Sequence, residues 1–190
     1  LLINDWRNVY IPYSDSVRSV SYYGDLSLSM WIRVDSLPSD SVDIIAKEVS
    51  EYSRSGPISV YITSSGQMAI NINDKKTIFE TYTIPRGEWI MFTFLGKSKN
   101  SVAIYCNDTE IGNVNCSYSF GDFYDHATSG SDYADCSLLI GGHNGAIDDL
   151  VIYEGLLTAA DVRALYNAGK PNIVYHTVKQ GVQEPKLATD

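Results

Sequence analysis

Apolar and polar residues alternate with a period of two along most of the first 155 residues. In segment 26–33 the residues of one face are all apolar: Leu26, Leu28, Met30 and Ile32. The same alternation predicts a hairpin in which strands 58–62 and 67–73 flank the turn Ser64-Ser65-Gly66. Further strands are predicted at 88–95, 101–107, 111–116, 137–140 and 147–153. Short strands separated by turn residues favour an all-β sandwich or barrel.

One segment has helical periodicity instead. Thr158 is a good N-cap, and Asp161 stands three residues later, as in a capping box. The apolar stripe consists of Val162, Leu165 and Tyr166. Gly169 followed by Lys170-Pro171 is a typical helix end. We therefore predict one short C-terminal helix over 159–168.

The length and the change in composition near the C-terminus predict the domain organisation. A chain of 190 residues fits one large all-β domain, which we assign to 1–170. Residues 171–190 are predicted to form a tail or linker, with an edge strand at 173–178. Because the sequence starts at Leu1 without a leader, we expect a processed product or a fragment of a longer polypeptide.

The charge and hydropathy of the chain disfavour two classes of partner. Lys and Arg number 14 against 23 Asp and Glu, a net charge of −9, and the basic residues do not cluster. Such a domain lacks the positive surface that binds phosphate backbones, so we expect no nucleic acid. No apolar run approaches the ~20 residues of a spanning helix, so no membrane insertion is expected.

Three cysteines occur, and none has zinc-site spacing. Cys106 ends an alternating apolar strand and is predicted to be a buried free thiol. Cys116 and Cys136 bracket a long loop, and a disulfide between them would remove about 3 kcal/mol of loop entropy from the unfolded state. A bridge and two free thiols are both open alternatives, and the bridge would indicate an oxidising compartment.

Six segments occur in an order that resembles a known family. They are 1–5, 9–16, 26–34, 85–89, 102–107 and 138–153. Their sequence is similar to that of laminin-G-like domains, which belong to the concanavalin A-like lectin and glucanase jelly rolls. The resemblance implies two antiparallel sheets, generally in extracellular, adhesive or sugar-binding proteins. Such domains also occur on viral and phage surface proteins.

The resemblance also implies a calcium site. Related domains hold calcium between the loop after the first strand and the acidic start of the penultimate strand. Asn4 and Asp5 match the first position, and Asp148 or Asp149 the second. Oxygen ligands on converging loops suit calcium, and only one of the two adjacent aspartates would face inward on an alternating strand. The alternative is a surface carboxylate plus one paired with Arg163.

A loop at 120–135 combines aromatic rings, carboxylates and a histidine. Its candidate ligand-binding residues are Asp122, Tyr124, Asp125, His126 and Tyr133. Aromatic faces stack on sugar rings and carboxylates accept hydrogen bonds from sugar hydroxyls. The alternative is a surface loop packed on its own aromatics.

Two sequons, at Asn107 and Asn115, are candidate N-glycosylation sites. Asn107 lies at a predicted hairpin tip and is expected to be accessible. The site at Asn115 is compromised if the next residue, Cys116, is bridged.

The sequence favours binding over catalysis. Retaining glycosidases of this fold resemble one another in a Glu-x-Asp-x-x-Glu strand, which is absent, as is a Gly-x-Ser-x-Gly elbow. We therefore expect a non-catalytic recognition or adhesion module that binds a glycan or glycoprotein, with calcium as a candidate cofactor and no other. The alternative is a structural domain that contacts neighbouring subunits of an assembly such as a viral or phage particle, and a glycoside hydrolase ranks third. The expected location is extracellular, on a cell surface or on a virion surface.

Overall fold

The chain folds as a two-sheet antiparallel β-sandwich with one helix in the described residues. The computed structural model describes residues 2–3, 8–11, 25–47, 58–72, 75–97, 100–116 and 138–169. The strands are β1 (Leu2–Ile3), β2 (Asn8–Ile11), β3 (Leu26–Ser36), β4 (Val42–Lys47), β5 (Ile58–Ile62), β6 (Gln67–Ile72), β7 (Lys75–Thr83), β8 (Trp89–Lys97), β9 (Ser101–Cys106), β10 (Thr109–Asn115), β11 (Leu138–Gly141) and β12 (Asn144–Glu154), and the helix is α1 (Ala159–Gly169). Sheet I has the order β1-β12-β3-β8-β9-β10, and sheet II has the order β2-β11-β4-β5-β6-β7. The predicted all-β jelly-roll sandwich is confirmed.

The core lies between the two sheets and follows from the alternation. Sheet I contributes the inward residues of β3 and β8, including Met30, Phe92 and Phe94, which are fully buried. Sheet II contributes the inward residues of β5 and β6, including Val60 and Ile70, which pair directly across the hairpin. Burial of large apolar side chains stabilises a fold by about 1.5–3 kcal/mol each, so this shared layer holds the sheets together.

The outward face of sheet I is also buried, because helix α1 packs on it. The apolar side chains of this second layer are Trp31, Met91, Leu95, Ala103, Tyr105 and Val162, with Trp89, Leu157, Leu165 and Tyr166 packed at its edges. Trp31 stacks on Tyr166 with ring centroids 5.9 Å apart. At the helix end, a Cβ on Gly169 would lie 2.6 Å from Nε1 of Trp31. The close approach of helix to sheet therefore requires glycine at position 169.

The helix begins with the predicted capping box. The backbone N–H of Asp161 donates to Oγ1 of Thr158 (3.2 Å), and the N–H of Thr158 donates to Oδ2 of Asp161 (2.8 Å). The hydroxyl of Thr158 also donates to Oδ2 of Asp161 (2.7 Å), and this bond, with that from the Thr158 N–H, lowers the pKa of the exposed Asp161 carboxyl. The helix ends at Gly169, one residue beyond the prediction, which is otherwise confirmed. Within the described part of the chain, no helix has the length and apolar character needed to cross a membrane.

Two strands, β10 and β12, begin two or more residues before the predicted start, for local reasons. β10 begins at Thr109 rather than residue 111, because Asn107 adopts a left-handed conformation (φ 58°) and closes a two-residue turn. β12 begins at Asn144 rather than residue 147, since its first residues already pair with β3. The hairpin around residues 64–66 is confirmed, with Gly66 at φ 83°. The predicted tail at 171–190, with its strand at 173–178, lies outside the described residues, so the assignment of 1–170 as the domain stays a prediction.

Candidate functional site

The structure corrects the geometry expected at the acidic start of β12. The pairing of β12 with β3 shifts between Asp148 and Val151, and Asp149 adopts a left-handed conformation (φ 48°). This bulge breaks the alternation, so both carboxylates are exposed. The N–H of Asp149 donates to Oδ1 of Asp148 at 3.0 Å. The expectation that one of these two aspartates faces inward is wrong.

The remaining calcium predictions are only partly covered by the structure. Asn4 and Asp5 lie outside the described residues, and no group of three or more His, Cys, Asp or Glu side chains suited to a metal occurs among the described ones. Arg163, the alternative partner, contacts Asp108 instead, with Nε 3.9 Å from the carboxylate oxygen. The pairing of Arg163 with Asp148 or Asp149 is therefore wrong, and calcium stays a prediction.

The predicted ligand-binding loop lies outside the described residues. This applies to Asp122, Tyr124, Asp125, His126 and Tyr133, and also to Cys136. Cys116 is buried at the end of β10, and its bridge to Cys136 stays a prediction. Cys106 is confirmed as a buried free thiol, and burial raises its pKa to about 12. A thiol with that pKa is protonated at neutral pH and unreactive.

The two sequons differ in a way that the sequence did not show. The side chain of Asn107 is partly buried, and its Oδ1 accepts a hydrogen bond from the N–H of Met91 (3.1 Å). Asn107 thus ties the β9–β10 turn to β8. Asn115 is exposed at the end of β10. Of the two predicted acceptors, Asn115 is the more accessible.

The outward face of sheet II carries a cluster of polar side chains that sequence reasoning missed. We call it the polar patch, and it comprises Asp43, Ser59, Tyr61, Asn71 and Lys76. In the register of the sheet, Asp43 on β4 pairs with Tyr61 on β5. Ser59 on β5 pairs with Asn71 on β6, which pairs in turn with Lys76 on β7. Four neighbouring strands therefore bring residues 33 positions apart in sequence into one cluster.

Small side chains and an exposed edge shape the surroundings of the polar patch. Ala46 and Ala69 lie between the polar groups on the same face and are fully buried. The outer strand β7 presents Lys76 and Ile78 to solvent, and Ile78 is 45% exposed. Nζ of Lys76 lies 5.7 Å from the ring centroid of Tyr61, within cation–π range. The patch thus reaches solvent at the β7 edge.

Burial and charge both act on the ionisable groups of the patch. Burial raises the pKa of the Asp43 carboxyl, while a hydrogen bond from Ser59 and the charge of Lys76 oppose the rise. Burial also raises the pKa of Tyr61, and the negative charge of Asp43 adds to it. Clusters of perturbed ionisable groups are typical of functional sites. This cluster contains one cation and one carboxylate.

Asn71 provides the most informative atom of the patch. The residue is 7% exposed, and among the described residues its Oδ1 has no hydrogen-bond partner. An unsatisfied buried polar atom costs about 1–3 kcal/mol, so proteins retain few of them. Oδ1 is an acceptor only, and a ligand that satisfies it must therefore supply an O–H or N–H donor.

The second such atom lies in a different environment. Nδ1 of the fully buried His143 also lacks a partner within the described ranges, and Nε2 is 3.4 Å from the carbonyl oxygen of Ala146. Burial lowers the pKa of His143, which favours the neutral ring. This residue connects β11 in sheet II with β12 in sheet I, beside Gly145, where an added Cβ would lie 1.7 Å from the carbonyl oxygen of Arg33. The imidazole ring is fully buried beside backbone atoms, so we assign His143 a structural role.

Comparison with known proteins supports the family. The sequence profile described as the concanavalin A-like lectin/glucanases superfamily, a laminin-G-type profile, matches residues 8–163. The chain belongs to this superfamily. No curated protein sequence matches the chain.

Several solved structures share the fold at low sequence identity. A structure of botulinum neurotoxin type C, whose cell entry is described as dependent on two ganglioside molecules, has a TM-score of 0.57 and 15% identity over 85% of this chain and 39% of that one. The binding domain of botulinum neurotoxin DC with rat synaptotagmin II has a TM-score of 0.58 and 16% identity over 85% and 40%. A Trypanosoma rangeli sialidase has a TM-score of 0.61 and 11% identity over 84% and 25%. This chain thus spans between a quarter and two fifths of those structures.

Proposed function

We propose that this domain is a non-catalytic glycan-recognition module and that the polar patch on sheet II contacts the sugar. The single observation that carries the proposal is the buried, unsatisfied acceptor Oδ1 of Asn71 within a cluster that also offers a carboxylate, a hydroxyl and an aromatic ring. Sugars supply many O–H donors, and an aromatic ring beside polar groups is a common way to orient them. Neighbouring structures are described as a neurotoxin that interacts with gangliosides and as a sialidase, which supports a sugar ligand.

Binding rather than hydrolysis is favoured by the composition of the patch. Retaining glycosidases need two carboxylates about 5–5.5 Å apart, and inverting enzymes need two at a larger separation. Among its described residues the polar patch has one carboxylate, that of Asp43. An extracellular, cell-surface or virion-surface location, with a glycan or glycoprotein as partner, is part of this proposal.

A glycan array tests the proposal most directly. The wild-type domain is applied with and without calcium, and binding is compared with that of Asn71→Ala. We expect reproducible hits from the wild type and a loss of at least about tenfold for the variant, since the ligand then lacks its buried acceptor. Asn144→Ala, which removes a half-buried asparagine on sheet I, is the matched control.

Two results would contradict the proposal in different ways. If the array remains silent under all conditions, the alternative of a structural domain in an assembly is favoured. If hits occur but persist in Asn71→Ala and disappear in Tyr124→Ala/Tyr133→Ala, sugar binding belongs to the predicted loop at 120–135 rather than to the polar patch.

A further inference from the structure

Strand β7 forms one edge of sheet II. It is the last strand in the order β2-β11-β4-β5-β6-β7, and β6 is its strand neighbour among the described residues. The edge of a sheet presents unpaired backbone N–H and C=O groups, which readily pair with another extended chain. Proteins limit such pairing with charges, prolines or bulges along the edge. The side chains of β7 therefore determine which partner this edge accepts.

Residues 76–80 of β7 alternate between the two faces of the sheet. Lys76, Ile78 and Glu80 are exposed, whereas Phe79 is buried against the core. The alternation changes after Glu80, because Thr81 is exposed as well, and the register with β6 shifts beyond Ile78. Ile78 is 45% exposed, more than any other large apolar side chain in the described ranges. The outward row of β7 is thus one exposed apolar residue between a cation and a carboxylate.

This row is self-complementary about Ile78. When two β7 strands pair antiparallel around a two-fold axis at Ile78, the two Ile78 side chains face each other, and Lys76 of each copy faces Glu80 of the other. Side chains directly opposite in an antiparallel pair lie about 4.5–5.5 Å apart at Cβ, where opposite charges attract. Apolar and ionic contacts therefore favour the same register.

Other ways of pairing two β7 strands are less favourable. In-register parallel pairing places Lys76 against Lys76 and Glu80 against Glu80, and like charges directly opposite are destabilising. A shift of the antiparallel centre by one residue places Ile78 opposite Lys76 or Glu80. The charges on this edge thus oppose most pairings but not the antiparallel one centred on Ile78.

Both charged side chains are available for such contacts. Among the described residues neither Lys76 nor Glu80 takes part in an ion pair within the chain. Nζ of Lys76 lies 5.7 Å from the ring centroid of Tyr61 on the same outward face. The lysine is exposed, so its flexible side chain can exchange this contact for the carboxylate of a second copy.

We propose that β7 is a homodimerisation edge at which two copies of this chain pair antiparallel about Ile78. The two copies of sheet II then form one continuous sheet. The contact consists mainly of residues 76–80 of each copy, which is small for a protein interface, so the dimer is weak. The dimer does not depend on the proposed function, but its two-fold axis places both outward faces on one side. A ligand site on that face is then present twice on one surface, which raises avidity.

Sedimentation velocity of the full 190-residue chain measures the association, from about 1 to about 500 µM protein, in about 150 mM salt and with a reducing agent. We expect a dimer whose population rises with concentration. Glu80→Lys brings two lysines together at each charge pair, and Lys76→Glu brings two glutamates together. Each variant alone should therefore dimerise at least about tenfold more weakly than the wild type. An equimolar mixture of the two variants should form heterodimers, because each charge then faces its opposite.

Matched substitutions elsewhere on the surface provide the controls. Asp148→Lys makes the same change of net charge as Glu80→Lys, at an exposed position on sheet I, and should leave the association unchanged. Ile78→Lys should abolish the dimer, whereas Val151→Lys, at a position 42% exposed on β12, should not. Thermal melting of each variant identifies loss of folding as a separate cause.

The results distinguish this dimer from other forms of association. A wild type that stays monomeric over the whole concentration range overturns the inference. A dimer that persists in Ile78→Lys, or that weakens equally in Asp148→Lys, uses another surface and overturns it as well. Two folded variants that form no heterodimer overturn the antiparallel register and the proposal with it. Glycan recognition is tested separately by the array, so its failure and the failure of the dimer are distinguishable.

Discussion

The two outward faces of the sandwich differ in what their strands present. On sheet I the outward side chains of the second apolar layer, including Trp31 and Met91, pack against Val162, Leu165 and Tyr166 of helix α1. On sheet II the outward residues include a carboxylate, an amide and an ammonium group, and one buried acceptor has no partner among the described residues. Helix α1 thus covers the outward face of sheet I, whereas the outward face of sheet II retains a buried acceptor without a partner among the described residues.

Under the proposed function, this difference separates the side chains that stabilise the domain from those that bind the ligand. The contacts that hold α1 on sheet I are mainly apolar, and Arg163 adds an ion pair with Asp108 (3.9 Å), so they favour folding. The polar patch contains a partly buried carboxylate and an unsatisfied amide, and both cost free energy of folding. Proteins retain such costly groups where a binding site requires them. Substitutions on the two faces should therefore change the free energy of unfolding in opposite directions.

The largest expected effect is on sheet I. Trp31→Ala removes a side chain that is 7% exposed and stacks on Tyr166, so we expect the free energy of unfolding to fall by about 3–5 kcal/mol. Urea unfolding measures the loss. Val151→Ala, on the neighbouring strand at 42% exposure, should change stability by less than about 1 kcal/mol. Similar losses in both variants would mean that the helix layer contributes no special stability.

An opposite effect is expected on sheet II. Asn71→Leu replaces the unsatisfied amide by an apolar side chain of similar size, so the free energy of unfolding should rise by about 1–2 kcal/mol while glycan binding is lost. Chemical denaturation and the glycan array measure the two changes. Asn144→Leu serves as control, because its amide already donates to Oγ of Ser36 (2.9 Å) and its loss should destabilise the domain. A destabilised Asn71→Leu would show that the amide is satisfied in the folded protein.

A smaller effect is expected at the start of the helix. Thr158→Ala removes the hydroxyl that accepts from the N–H of Asp161, and loss of an N-cap typically costs about 1 kcal/mol. Thr158→Ser keeps the hydroxyl and should lie within a few tenths of the wild type. Glycan binding should be unchanged in both variants, since the helix packs on the other sheet. A binding defect in Thr158→Ala would indicate that the two faces are coupled.

Sequence alone predicted the fold because the alternation and the capping box are local signals. Leu26 to Ile32 and the pair Thr158 and Asp161 carry their structural meaning within a few residues. The polar patch was missed because its meaning depends on register. An outward Asn71 on a strand suggests contact with water until Asp43 and Lys76 are known to lie on the same face. Asp148 and Asp149 were misjudged for a related reason, since the bulge that exposes both has no clear sequence signal.

The last and smallest effect concerns the pH dependence that Asp43 gives to sheet II. The folded state raises the pKa of this carboxyl above its ordinary value of 3.8, chiefly through burial. Between those two pKa values the folded protein binds more protons than the unfolded one, so this group lowers the free energy of unfolding as pH rises through the interval. Asp43→Asn should therefore stabilise the domain at pH 7, and its advantage over the wild type should shrink as pH falls and vanish below 3.8. Melting temperatures of both proteins, measured from about pH 3.5 to about pH 7, test this difference.

Asp148→Asn, which alters an exposed carboxylate on sheet I, should give no such pH-dependent gain. An Asp43→Asn variant that is less stable than the wild type at pH 7 would mean that the attraction of Lys76 outweighs the cost of burial, and the polar patch would then be a stabilising ion pair rather than a site kept at the expense of stability.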